Sequence, residues 1–348
     1  MVSDLDRRLA ATLAHRAGGD IDPTPIVEQA RQNGRRLRRR RRGLLAVGAA
    51  AACVALAALV LTVPPGDDPM PPATALLLPE ATLQNGLAVG ADPTTVHFSA
   101  DALMSSAESA TWRTGRGSES VEFRGPDGSA RFALARTVAA LDALPQTLSS
   151  SGRPQPRTDV RVGDRPGVAW FDPSGDQKLW FVRWQPADGL WAQLDTYAAT
   201  SDEATGTAGR VRFDGARRCV VPFRLESLPA GARLLECSVT FSRSEKSALG
   251  RSEKGGFAEG SLVVGDDAGR WLTVRAQPAP GQRVRSADLV AGPYRARRQG
   301  SDVLEMTVEP CFVEAFRKGW GEGYTEAEAL TILGGYRPAA DLDHPDTW

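Results

Sequence analysis

The chain has 348 residues, of which 42% are apolar, 24% charged and 7% aromatic, and its 42 basic side chains balance 42 acidic ones. That length suits about two domains, and that composition excludes a disordered or collagen-like chain. A net charge of zero argues against a nucleic-acid partner held by bulk charge, but it hides a split: residues 1–42 hold 11 Arg against five Asp and Glu, residues 43–63 carry no charge, and the remainder is acidic overall.

In chain order, Ser3-Asp4-Leu5-Asp6 offers a helix cap, and Leu5, Leu9 and Leu13 recur every four residues, which predicts a helix over 4–17 with one narrow apolar stripe. Gly18-Gly19 ends it, and Thr24-Pro25 starts a second that runs toward the tract Arg35–Arg42. Forty-two residues bury no core alone. An exposed stripe on so short a segment predicts a helix that docks in a partner's groove, against the alternatives of a marginal helix on the inner leaflet or a disordered segment.

Residues 43–63, GLLAVGAAAACVALAALVLTV, are uncharged over a length that crosses a bilayer. Arg precedes them and Asp67 and Asp68 follow, so the positive-inside rule puts the N-terminus in the cytoplasm. The expectation is a single-pass plasma-membrane protein with 1–42 inside and its C-terminal part outside. A cleaved signal has a shorter apolar core, and Cys53 reads as a small apolar residue within the span.

Residues 64–84 begin PPGDDPMPPATA and read as a Pro-rich linker. Beyond it the sequence looks duplicated at an offset of 125. Val96-x-Phe98-x4-Leu103 recurs as Val221-x-Phe223-x4-Leu228, Trp112 falls where Cys237 falls, and Glu203-Ala204 matches Glu328-Ala329. Alternating residues predict a hairpin at 120–124 and 130–135, then a meander at 168–171, 179–184 and 190–194. The counterparts lie at 261–264 and 271–275, then 294–297, 303–308 and 312–316. Thr200-Ser-Asp-Glu203 and Thr325-Glu-Ala-Glu328 are capping boxes that open a closing helix in each copy. The expected fold is therefore α+β: short cytoplasmic helices, one transmembrane helix, and two duplicated β-rich lobes at 85–215 and 216–348.

Three cysteines follow the span, Cys219, Cys237 and Cys311. At most one disulfide forms among three, and Cys219–Cys237 is the candidate pair, with Cys311 a buried small residue. No G-x-S-x-G, P-loop, H-E-x-x-H or EF-hand pattern occurs, so no catalytic residue, metal ligand or cofactor site is expected. His97 alternates with Val96 and Phe98 and reads as an outward strand residue, while His344 sits among Asp341, Asp343 and Asp346 in a solvated tail. Trp170, Trp180, Trp184 and Trp191 crowd one meander, which suits a sheet core or else a wall for a sugar or lipid ligand.

The run Asp22-Pro23-Thr24-Pro25-Ile26-Val27-Glu28-Gln29-Ala30-Arg31, the Arg tract, the Ala-rich span and the Pro-rich stretch after it resemble a group of actinobacterial single-pass membrane proteins. Those proteins often accompany extracytoplasmic-function sigma factors and are read as anti-sigma factors. The resemblance covers residues 1–75. It departs at the zinc motif, since His-x3-Cys-x2-Cys is absent and 1–42 holds only His15 and no Cys. Each outer copy resembles, at the level of fold, the RseB- and LolA-like open β-barrels of anti-sigma systems. The resemblance implies a regulatory sensor that holds a sigma factor or other cytosolic protein through residues 1–42, while the missing catalytic motifs point away from an enzyme and the zero net charge away from nucleic acid. The alternative is a membrane-anchored envelope module for lipid or cell-wall ligands, with 1–42 only an anchor.

Overall fold

The structure, a computed structural model, describes residues 76–81, 88–104, 106–126, 128–144, 156–172, 178–243, 256–284, 286–317, 323–342 and 344–348, all within the compact unit Pro69–Trp348. The helices expected in 1–42 and the span 43–63 lie outside the described residues.

Strand-forming alternation dominates what is described. The first half carries β1 (Glu80–Ala81), β2 (Thr95–Val96), β3 (Ser109–Gly115), β4 (Ser118–Gly125), β5 (Gly128–Ala135), helix α1 (Val138–Asp142), β6 (Thr158–Val162), β7 (Arg165–Asp172), β8 (Leu179–Trp184), β9 (Trp191–Tyr197) and helix α2 (Ser201–Ala208). The second carries β10 (Ala216–Arg218), β11 (Phe223–Leu225), β12 (Arg233–Ser242), β13 (Gly256–Gly265), β14 (Trp271–Pro278), β15 (Leu289–Ala291), β16 (Tyr294–Gln299), β17 (Val303–Val308), β18 (Cys311–Phe316), helix α3 (Glu326–Gly334) and β19 (Tyr336–Pro338).

Fourteen strands form one antiparallel sheet in the order β15-β16-β17-β18-β14-β13-β12-β3-β4-β5-β9-β8-β7-β6. Read outward from its centre, each half has the same order: a first strand, a hairpin partner, a third strand, then a meander running back. The halves join where β3 pairs with β12, from Gly115 opposite Glu236 to Ser109 opposite Ser242. Outside this sheet, Ser99 bridges Arg212 in the first half and Arg224 pairs with Arg337 in the second, each partner displaced by 125.

This corrects the expected α+β class and its two lobes. The described chain is mostly β, and the two copies share one sheet and one continuous apolar core. Alternation within a copy shows which residues face inward, but not that the first strands of the two copies satisfy each other's backbone groups. The expected plasma-membrane placement with a transmembrane helix is corrected as well. Among the described residues no helix is long and apolar enough to cross a membrane. The longest, α3, has nine residues, which reaches about 14 Å against a hydrocarbon core of about 30 Å.

Residues 76–81, inside the expected linker, pack into the unit. Leu76 and Leu78 are buried, and the Leu76 carbonyl accepts from Trp112 Nε1 at 3.0 Å. The core side of the first half holds Phe98, Trp112, Phe132 and Trp184, with Phe98 edge-on to Phe132 at 4.6 Å between centroids. Burying each such ring stabilises the fold by roughly 1.5–3 kcal/mol. The closing helices start as their sequences dictate. The Thr325 hydroxyl accepts from Glu328 N–H while the Glu328 carboxylate accepts from Thr325 N–H, a complete box. At α2 the Thr200 hydroxyl accepts from Glu203 N–H, but the Glu203 carboxylate reaches Ala199 N–H instead.

Candidate functional site

On β4, Val121 and Phe123 face the core, so parity puts Glu119 on the same face. A carboxylate there needs partners, and the segment that runs through β2 to His97 supplies them. Glu119 Oε1 accepts from Gly90 N–H at 3.0 Å and sits 2.6 Å from His97 Nδ1, and Oε2 accepts from His97 N–H at 2.6 Å. Glu119 is fully buried, His97 is 4% exposed, and His97 Nε2 is a buried atom without a hydrogen-bond partner among the described residues. Gly90 has φ +68°, and a Cβ there would lie 2.2 Å from the Gly117 carbonyl carbon, so only glycine lets the segment approach this closely. Its carbonyl accepts from Gly117 N–H at 2.8 Å.

The Glu119 hydrogen bond raises the pKa of His97; burial opposes this, and the charges of Glu119 and Asp92 reinforce it. Burial works against ionised Asp92, yet the hydroxyl and N–H of Thr94 hold it below the usual carboxylate range. Thr114 on β3 donates to the carbonyls of Asp92 and Thr95.

His97 was expected to point outward. It is buried because β2 is only two residues long and the chain continues over Glu119 rather than along a sheet. Glu119 was missed, though the parity of Glu119, Val121 and Phe123 carried the signal.

A second buried ionic cluster lies on the opposite face of the sheet. Arg131 Nε donates to Asp195 at 2.9 Å, Gln193 donates to Asp195 at 2.7 Å, and Arg183 donates to Gln193 at 2.9 Å and Asp142 at 2.7 Å. Burial pushes Asp195 upward, against the pull of Arg131 and Gln193.

The sulfurs of Cys219 and Cys237 form a disulfide with 6.1 Å between Cα atoms. Cys311 is a buried free thiol pushed up to about 11 by burial. The four tryptophans do not share a wall: Trp180 and Trp184 belong to the main core, whereas Trp170 stacks on Phe181 and Trp191 packs near Leu141 outside it. His344 pairs with Asp341 at 2.7 Å at the exposed end of the chain, and Asp343 lies outside the described residues. No three His, Cys, Asp or Glu side chains converge to hold a metal among the described residues. A pocket of about 230 Å³ opens beside the β4–β5 turn, with Leu103, Phe123, Tyr197, Thr207 and Arg210 in its wall.

No family model matches the chain. No curated protein matches it either.

Proposed function

We propose that the chain is a non-enzymatic regulatory protein, in which the described unit is a sensor scaffold and residues 1–42 hold a cytosolic partner, a sigma factor in the reading the N-terminal resemblance implies. One observation carries the scaffold half: the buried carboxylates Glu119 and Asp195 direct their oxygens to internal donors rather than to the open pocket. Among the described residues the pocket wall is built of small, aliphatic, aromatic and hydroxyl side chains with one guanidinium, Arg210, and no carboxylate or imidazole stands among them as a base. Such a wall suits binding better than bond-making.

The test compares partners captured by the full chain with those captured by a chain lacking residues 2–34. A sigma factor held only by the full chain supports the regulatory reading. Identical partners for both remove any binding role from 1–42.

The pocket favours a second reading, a binding module for a small ligand. A volume of about 230 Å³ with Arg210 in the wall suits a small carboxylate. A panel of small carboxylates that leaves the melting temperature unchanged rejects it.

A further inference from the structure

Residues 88–98 form a strap across the first half. The strap passes through β2, which belongs to a three-stranded sheet ordered β1-β10-β2. Besides the Thr114 hydroxyl on the Asp92 and Thr95 carbonyls and Gly117 N–H on the Gly90 carbonyl, two further ties hold this small sheet to the large one. On one side, Glu119 of β4 takes Gly90 N–H, His97 N–H and the His97 ring. On the other, Cys219, the residue after β10, is bonded to Cys237 of β12, and its N–H donates to the Thr94 carbonyl at 2.8 Å.

We propose that the His97–Glu119 contact is a proton-operated latch: the charged imidazole clips the strap onto β4, and loss of its proton as pH rises frees the strap while the disulfide keeps β10 attached to β12.

The geometry explains why one proton matters. Glu119 is out of reach of solvent, so its charge needs a counter-charge at hand. The charged groups acting on the ring are Glu119 from β4 and Asp92 from the strap itself. From β3, Thr114 offers only a hydroxyl, already given to two carbonyls. From β5, the residue opposite Glu119 is Leu134. From β10, Arg217 turns to Asp101 and Arg218 to the Asp346 carbonyl. Near the strap, Arg116 turns to Glu236 and Trp271. His97 is therefore the cation that answers Glu119. A neutral ring still donates from Nδ1, but without the charge that makes the bond strong. Nε2 has no hydrogen-bond partner among the described residues that would hold the neutral ring in place.

The second half shows what the same position looks like without the latch. Register places Pro222 where His97 stands and Gly260 where Glu119 stands, and no titratable group joins them.

The latch deepens the sensor reading by naming the proton as the signal, and only its purpose rests on that reading. Its test is carried out on the full chain. The three histidines, His15, His97 and His344, are titrated by ring NMR and assigned with His15→Gln and His344→Gln. Amide exchange over 88–98 is followed from pH 6 to 9 and corrected for base catalysis. The expected result is a His97 midpoint above the ordinary value of about 6.5, with protection at Gly90 and His97 falling about tenfold or more across it while β12 stays protected. A midpoint at or below that value, or protection that stays flat, overturns the latch. His97→Gln removes the step, and if that variant does not fold, the unmodified chain decides alone. Reducing the disulfide is expected to extend the release to 216–218; unchanged protection there overturns the two-tie arrangement. Failure of the partner-capture experiment leaves each of these readouts intact.

Discussion

The two halves share a strand order but fill it differently. Where the first half has Trp112, Phe132 and Trp184 on the sheet, the register of the second places Cys237, Val274 and Met306. The helices make the opposite choice. α2 buries Ala204, Thr205 and Ala208, whereas α3 buries Ala329, Ile332 and Leu333. Large sheet residues meet a small helix in one half, and small sheet residues meet a large helix in the other. Interiors pack to nearly constant density, so one backbone plan accepts either division of volume. The halves differ also in polarity: a buried His97–Glu119 pair in the first corresponds to Pro222 and Gly260 in the second, where a Cβ on Gly260 would sit 3.0 Å from Val221 and 3.1 Å from Pro222.

The sharpest way to break this comparison is to remove the polar pair from one side. Glu119→Ala strands Gly90 N–H, His97 N–H and the ring in the core, and is expected to cost about 3–5 kcal/mol in denaturant unfolding. The volume exchange is tested next. Leu333→Ala is expected to cost about 2–5 kcal/mol by leaving a cavity under α3. Ala208→Leu is expected to cost about 1–3 kcal/mol by crowding the aromatic sheet residues under α2. Equal, small losses at both sites would show that the two helices pack alike.

The covalent tie lies in the second half. Replacing Cys219 and Cys237 together by Ala opens a link between residues 18 apart, with an expected loss of about 3 kcal/mol measured without reductant.

The His97 proton acts through the first half. His97 binds its proton more tightly folded than unfolded, so its contribution is complete below the unfolded value of about 6.5 and is lost as pH climbs through the raised folded value. The slope in that window is at most about 1.4 kcal/mol per pH unit, and His97→Gln should flatten it. The smallest contrast lies at the helix caps. Thr325→Ala dismantles a complete box and is expected to cost about 1 kcal/mol, against about 0.5 kcal/mol for Thr200→Ala, as read from melting temperatures.

Much of the strand content was legible because alternation is local. The reading at 120–124 and 130–135 lies within β4 and β5, and 303–308 coincides with β17. Both Thr caps were readable for the same reason. The site was not. His97 looked outward because a strand pattern was extended through it, whereas β2 stops at Val96. Glu119 sat at an apolar parity, but its partners are 22 and 29 residues away along the chain, and only the returning strap brings them together.

By itself, the sequence determined the periods: which residues alternate, which threonines cap, and that a pattern returns after 125 residues. Those properties depend on neighbours a few positions apart, through side-chain parity and local hydrogen bonds. Tertiary structure alone decided that β3 and β12 join the copies into one sheet, that Leu76 and Leu78 enter the core, and that His97 lies on Glu119. Each of these outcomes satisfies backbone groups or a buried charge with a partner distant in the chain, and composition and spacing carry no record of that distance.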